Sequence, residues 1–287
     1  MLGIHLRKDE SGNCRENEIR HPPSLSNSSL STMNLLPPAG FELIRLPTGP
    51  AWVRPALRRN LSSLWQKQKS NPPLRDLARR HPGHRTFPGR APVTFLPVSG
   101  SPGWVVRPCV HGGIWGRLAR DLYWGTARAR KEICCSSQLH AKKIPTPSIL
   151  AVLFYPAGLF LRIDIVTSYV PESRDLASFL SAHPKLAERA RAFSSVRHLF
   201  KICAQHGFLH ADLNARNILL SGSSSKKPQA WLLDVDAVTR NEANLDHVNT
   251  SNKNRLLRSF FKRARCGDLG YSEREIPALW CELFPRR

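Results

Sequence analysis

The spacing of apolar positions changes several times along the chain, and each change marks an element. The first 37 residues have no period: "HPPSLSNSSLSTMNLLPP" is Ser- and Pro-rich and reads as a disordered leader. From Phe41 to Val53 short apolar stretches alternate with Pro and Gly. "LRRNLSSLWQKQK" then places Leu61, Leu64 and Trp65 on one side of a basic helix, which either packs on its own domain or lies on a membrane. "APVTFLPVSGSPGWVVRP" reads as two strands joined by a turn at Ser99 to Gly103. A proline-free stretch predicts a helix from about Thr126 to His140, and "IPTPS" stops it.

The longest apolar run, "ILAVLFYPAGLFL", is shorter than the roughly 20 residues of a bilayer span. Pro156, Ala157 and Gly158 at its centre predict the turn of a hairpin over 148–169. "ESRDLASFLSAHP" predicts a short helix. "AERARAFSSVRHLFKICAQHG" predicts a longer one, with Ala192, Val196, Leu199, Phe200 and Cys203 on one face and Gly207 as its stop. "NILLSG" and "AWLLDVD" are short strands around the polar turn "SSSKKPQ". "NKNRLLRSFFKRAR" and "SEREIPALWCELF" are helical. The order gives an α+β fold in two lobes: a strand-rich N-lobe over 38–170 and a compact helical C-lobe over 171–287, after the leader at 1–37.

Composition narrows the partners. Among 287 residues, 43 Lys and Arg face 21 Asp and Glu, a net charge of +22. That favours an anionic partner: a phosphorylated substrate, an anionic membrane surface or nucleic acid. The charge alone does not choose among them. Seven cysteines with no C-x-x-C pair suggest neither a zinc site nor a disulfide framework. The N-terminus lacks the apolar core of a signal peptide, so a soluble or peripheral protein is expected.

One stretch breaks the apolar logic. In "HGFLHADLNARNILLSG", Asp212, Asn214 and Asn217 sit between apolar flanks, where burial of a carboxylate is costly unless it is paired or holds a metal. His210-x-Asp212-Leu213 followed by Asn217 matches the H-x-D-L-x-x-x-N catalytic loop of protein-kinase-like phosphotransferases. A strand, a turn and a second strand then lead to Asp234, expected on that strand. In this architecture Asp212 is the base that orients the attacking hydroxyl, and Asn217 and Asp234 hold Mg²⁺ against the phosphates of ATP. A capped turn would explain Asp212 and Asn214 through local backbone bonds, but not the distant Asp234. His210 reads as a packed structural histidine, since Asp212 already supplies the base.

"HADLNARNILL" with "WLLDVD" also resembles the Kdo kinase (3-deoxy-D-manno-octulosonic acid kinase) group of the lipopolysaccharide kinase family, within the protein-kinase-like superfamily. The similarity extends through "WVVRPCVHGGIWGRLARDLYWG", "RARKEICCSSQLHAKKIPTPSILA" and "NKNRLLRSFFK", and covers roughly residues 85 to 282. The resemblance implies ATP-dependent phosphorylation of a Kdo hydroxyl on a lipid A precursor. It places the protein peripherally on the cytoplasmic side of the bacterial inner membrane, with the anionic membrane surface as a partner and nucleic acid disfavoured. By the same resemblance Glu132 is the helix carboxylate and Arg107 its partner at the nucleotide, in the place of the usual lysine. The phosphate-covering loop falls on "PGRAPVTF", where Gly89 is retained but Ala91 stands in place of a second glycine.

Two further departures, Val235 between the aspartates and Ala237 after them, leave Asp236 as a candidate to share or take over the metal role of Asp234. The tract after Asp234 lacks the long activation segment and A-P-E element that dock peptides in protein kinases, which suits a small or lipid-linked acceptor. The alternatives are a compact atypical protein or small-molecule kinase, and a catalytically inactive kinase-like binding protein.

Overall fold

The computed structural model describes residues 35–66, 68–87, 91–111, 121–222 and 228–285. Most of the leader expected at 1–37 lies outside them. The N-terminal half is one antiparallel sheet: β1 (Glu42–Leu46), β2 (Gly49–Val53), β3 (Arg85–Phe87), β4 (Val93–Leu96), β5 (Trp104–Pro108), β6 (Ile149–Ala157) and β7 (Phe160–Ser168), in the spatial order β1-β2-β6-β7-β5-β4-β3. The long apolar run falls in the β6–β7 hairpin, at the centre of the sheet. Pro156 and Ala157 belong to β6, paired with Leu161 and Phe160, so the turn lies further on than expected, at Gly158, which has φ 64°.

Why this hairpin reads as a continuous apolar run follows from its two covered faces. Ala151, Leu153 and Tyr155 point into one core with Ala51 and Val53. Val152 and Phe154 point into another with Trp52 and Ile163. Successive side chains alternate between faces, and both faces are buried, so neither set is polar. The first core is closed by α1 (Arg58–Ser63) and α2 (Leu74–Arg80), through Leu61, Leu74 and Leu77, with Trp65 from the turn after α1. The basic segment therefore packs its apolar side on its own sheet. The second face is covered by α3 (Ala127–Ala141), through Ala129 and Ile133.

One buried carboxylate stands in this half. Asp164 on β7 has no solvent exposure, accepts from Tyr155 Oη at 2.9 Å and pairs with Arg75 of α2 at 3.3 Å. Tyr155 Oη in turn accepts from the Leu74 amide at 3.0 Å. This network fastens α2 to the sheet. Burial raises the Asp164 carboxyl above its ordinary range, against Arg75 and Tyr155.

The C-terminal half packs α4 (Leu176–Ser181), α5 (Leu186–Gln205), α6 (Leu245–Arg265) and α7 (Ile276–Leu283) around a core that includes Phe193, Val196, Phe200, Leu256, Phe260 and Leu279. Helix α6 starts at Leu245, earlier than its apolar pattern, because the Asn244 side chain caps it by accepting from the His247 amide at 2.8 Å. Two small antiparallel sheets lie against these helices: β8 (Ser173–Asp175) with β10 (Ile218–Ser221) and β11 (Gln229–Leu232), and β9 (Phe208–His210) with β12 (Val238–Arg240). Gly207 ends α5 at φ 70°, and a Cβ there would lie 2.4 Å from the Asn241 carbonyl oxygen. Only glycine admits that approach, which sets the start of β9. Among the described residues no helix is long and apolar enough to cross a membrane.

Candidate active site

The catalytic-loop residues follow β9 directly. Their conformation is fixed both by their own side chains and by one face of α6. Asn252, Arg255 and Ser259 recur at helical spacing and each bonds the loop backbone. Asn252 Oδ1 accepts from the His210 amide at 3.0 Å, and its Nδ2 donates to the Phe208 carbonyl at 2.9 Å. Arg255 Nη1 donates to the Ala211 carbonyl at 2.6 Å, and Ser259 Oγ accepts from the Ala215 amide at 3.0 Å. Buried backbone groups that would otherwise be orphaned are satisfied this way.

Within the loop, the side-chain amides of Asn214 and Asn217 both donate to the Asp212 carbonyl, at 3.0 and 2.8 Å. Asn214 Oδ1 also accepts from the Arg216 amide, opening a 3₁₀ turn over Ala215–Asn217. His210 is buried and joins two segments. Its Nε2 donates to the Leu233 carbonyl at 2.9 Å, and its Nδ1 accepts from the Asp212 amide at 3.2 Å. This pattern requires a neutral ring. Burial lowers its pKa, against the nearby carboxylates.

The Leu233 amide donates to the Asn217 carbonyl at 2.9 Å, so the loop and the segment carrying Asp234 are tied at two points. β11 ends at Leu232, so Asp234 stands just beyond the strand, not on it. It adopts a left-handed backbone, φ 55° and ψ 49°. A non-glycine residue held there is strained, and such strain concentrates at functional sites.

The two aspartates hydrogen-bond each other but engage different partners. Asp234 lines a cleft of about 820 Å³ between the sheet and the helical half, together with Asp212, Asn217, Arg107 and Glu132. Asp236 is not among the described lining residues and pairs with Arg128 of α3 at 2.9 Å. Burial and the Asp234 charge push the Asp236 carboxyl up to about 6. Burial would raise Asp234 as well, but Arg107, the hydrogen bond with Asp236 and Arg128 outweigh it and hold Asp234 below the ordinary range. The charge of the pair is thus held more firmly on the carboxylate that lines the cleft.

Arg107 on β5 and Glu132 on α3 form an ion pair at the roof of the cleft. Burial disfavours the Arg107 charge, but Glu132, Cys109 and Asp234 more than compensate. Glu132 Oε2 is buried without a hydrogen-bond partner, so the pair is not saturated by the protein. Gly89 and Gly112–Gly113 lie outside the described residues; Ala91 lines the cleft.

Among the described residues, no group of three or more His, Cys, Asp and Glu side chains is assembled to hold a metal. The donor set instead pairs the Asp234 carboxylate with the Asn217 amide. Hard oxygen donors of this kind, few in number, suit Mg²⁺, which completes its shell with water and substrate phosphates.

Four residues at the site were not legible as such. Asn252 and Ser259 carried a faint signal, being polar positions on the apolar side of an amphipathic helix beside Leu256 and Phe260. Arg128 and Arg255 carried none, since nothing separates them in sequence from the other basic residues of their helices.

A cleft between a strand lobe and a helical lobe, floored by this loop, puts the chain in the protein-kinase-like class of phosphotransferases. Comparison with known proteins narrows the class. Residues 94–280 match the family described as lipopolysaccharide kinase (Kdo/WaaP), and the chain belongs to that family. The relatives include the 3-deoxy-D-manno-octulosonic acid kinase of Actinobacillus succinogenes, 32% identical over 176 residues, covering 58% of this chain and 70% of that protein. That of Haemophilus influenzae strain PittGG is 28% identical over 184 residues, covering 62% and 72%. That of Pasteurella multocida is 29% identical over 178 residues, covering 59% and 70%. Among solved structures, WaaP in complex with acyl carrier protein aligns over 86% of this chain and 90% of that one, at 15% identity and a TM-score of 0.47.

Proposed function

We propose that the protein transfers a phosphoryl group from ATP to a hydroxyl of Kdo in a lipid A precursor, in the synthesis of the lipopolysaccharide core. The observation that carries this reading is the convergence of Asp212, Asn217 and Asp234 on one cleft beneath Arg107 and Glu132, in a chain of the lipopolysaccharide kinase family.

Each residue has a distinct task. Asp212 orients the acceptor hydroxyl and takes its proton. The bonds from Asn214 and Asn217 to the Asp212 carbonyl fix where that carboxylate stands. Asn217 and Asp234 hold Mg²⁺, which when bound neutralises charge on the phosphate oxygens. Arg107, held in orientation by Glu132, presents its guanidinium to the phosphates as a planar fork. Asp236 serves instead as the anchor that pulls α3, and with it Glu132, toward the segment bearing Asp234.

The reaction takes place at the cytoplasmic face of the inner membrane, with the protein bound peripherally. Trp124, Leu159 and Phe160 support this placement. They are 75%, 64% and 38% exposed, and the Trp124 and Phe160 rings meet edge to face at 5.6 Å. An exposed aromatic tip suits the headgroup level of a bilayer, and the net charge of +22 suits an anionic one.

The test is transfer of labelled phosphate from ATP to a Kdo-containing lipid A precursor by the purified chain with Mg²⁺. Labelled lipid with one added phosphate is the expected product. Autophosphorylation or protein labelling with no labelled lipid would refute the acceptor assignment, and nucleotide binding without any transfer would refute the enzymatic one.

A further inference from the structure

The cleft continues past Asp212 along α6, and its wall there is basic. Arg255, Arg258, Lys262 and Arg263 line it at helical spacing, joined by Arg216 from the catalytic loop. One carboxylate offsets them: Asp268 accepts from Arg216 at 2.9 Å and from Arg263 at 2.7 Å. Arg255 is engaged by the Ala211 carbonyl. Arg258 and Lys262 are exposed at the wall, and among the described residues their side chains have no hydrogen-bond or ion-pair partner.

Part of this face carries a cost without a structural return. Like charges three and four residues apart on a helix repel. The helix dipole favours cations in the last turn, which accounts for Lys262 and Arg263, and the Ala211 carbonyl accounts for Arg255, but neither accounts for Arg258. A concave wall also focuses the field of its charges, which concentrates an anion there.

The geometry points to an anion subsite for the acceptor at Arg258 and Lys262, taking the carboxylate of the sugar whose hydroxyl is phosphorylated. This rests on the function proposed above and deepens it. The position decides the assignment. Arg255 bonds the residue next to Asp212, so the basic face begins at the reacting hydroxyl. Arg258 and Lys262 lie about 4.5 and 10.5 Å farther along the helix axis, at 1.5 Å per residue. They run on within the helical half, whereas Arg107 and Glu132 belong to the sheet half. A carboxylate one sugar ring away from the hydroxyl meets Arg258 first. Lys262 closes the site beyond it.

Steady-state kinetics on the full chain separate this subsite from the nucleotide site. Arg258→Gln and Lys262→Gln each raise the acceptor KM by about tenfold, and the double variant by about a hundredfold, as loss of one and two charged hydrogen bonds requires. The KM for ATP stays within about twofold. On the wild type, an acceptor with its Kdo carboxyl converted to the methyl ester shows the same rise, and the double variant adds nothing further. If a dephosphorylated lipid A acceptor reproduces the rise and the ester does not, the subsite stands but its anion is a lipid phosphate. An unchanged acceptor KM in the double variant, or an equal rise in the KM for ATP, overturns the subsite.

If the wild type phosphorylates no Kdo-containing lipid, the function proposed above fails by itself. The subsite is then decided by calorimetric titration of inorganic phosphate with a non-hydrolysable ATP analogue bound. Binding to the wild type that the double variant loses supports it; equal binding or none in both overturns it.

Discussion

Replacing Asn252 with leucine tests how the catalytic loop is held. Asn252 is 3% exposed, and its amide satisfies the His210 amide at 3.0 Å and the Phe208 carbonyl at 2.9 Å. Leucine has the same branched outline and number of side-chain heavy atoms, so no cavity opens, although its bulkier methyl groups add some overpacking. The loss is two buried backbone groups without these partners. Each costs about 1–3 kcal/mol, or about 2–6 kcal/mol together. Set against the roughly 5–15 kcal/mol of a typical domain, that is a large share.

The urea midpoint of Asn252→Leu falls accordingly, with the slope unchanged. Hydrogen exchange at the His210 amide accelerates, since that N–H has lost its acceptor. Turnover by the folded protein falls about a hundredfold, the scale expected when a catalytic group shifts by about 1 Å. Leu256→Ala, on the same helix but in the core, is the control. It loses about 2–5 kcal/mol to a cavity, yet the folded fraction keeps its turnover. A wild-type midpoint and a protected His210 amide in Asn252→Leu would show that α6 does not brace the loop.

Three other outcomes follow from the site. Asp212→Ala loses about 10²–10⁴-fold in turnover, the usual contribution of a positioned base, while ATP binding measured by calorimetry is retained; normal turnover would remove Asp212 from that role. Asp234→Asn loses about 10³-fold in kcat and its response to added Mg²⁺, whereas Asp236→Asn loses less than about tenfold and keeps that response, because only Asp234 faces the cleft. The reverse order would give the metal to Asp236. Trp124→Ser with Phe160→Ser lowers sedimentation with vesicles containing anionic lipid but leaves the KM for ATP unchanged; undiminished sedimentation would move the membrane contact elsewhere.

Local pattern carried much of the architecture. The apolar run at 149–161 required two buried strands, the spacing in 186–205 required a helix with its face on a core, and Gly207 marked its end. The H-x-D-L-x-x-x-N motif works locally too. Asn214 and Asn217 bond the Asp212 carbonyl within a few residues, so those contacts are written in consecutive positions. Charge spacing failed where contacts were long-range. The buried Asp164 looked like any polar residue of a strand until Arg75 and Tyr155 closed on it.

By itself, then, the sequence determined many of the elements, the local contacts within the loop and the family likeness, because these depend on neighbours within a turn or a strand. Only the tertiary structure decided which aspartate faces the cleft, since Arg128 claims Asp236 from a helix more than 100 residues earlier in the chain. It also decided that one side of α6 both braces the loop and lines the cleft, whereas the Arg107–Glu132 pair it forms was already implied by the family resemblance. Those choices are set by packing between distant elements, and residue type alone does not encode which of many arginines will find which carboxylate.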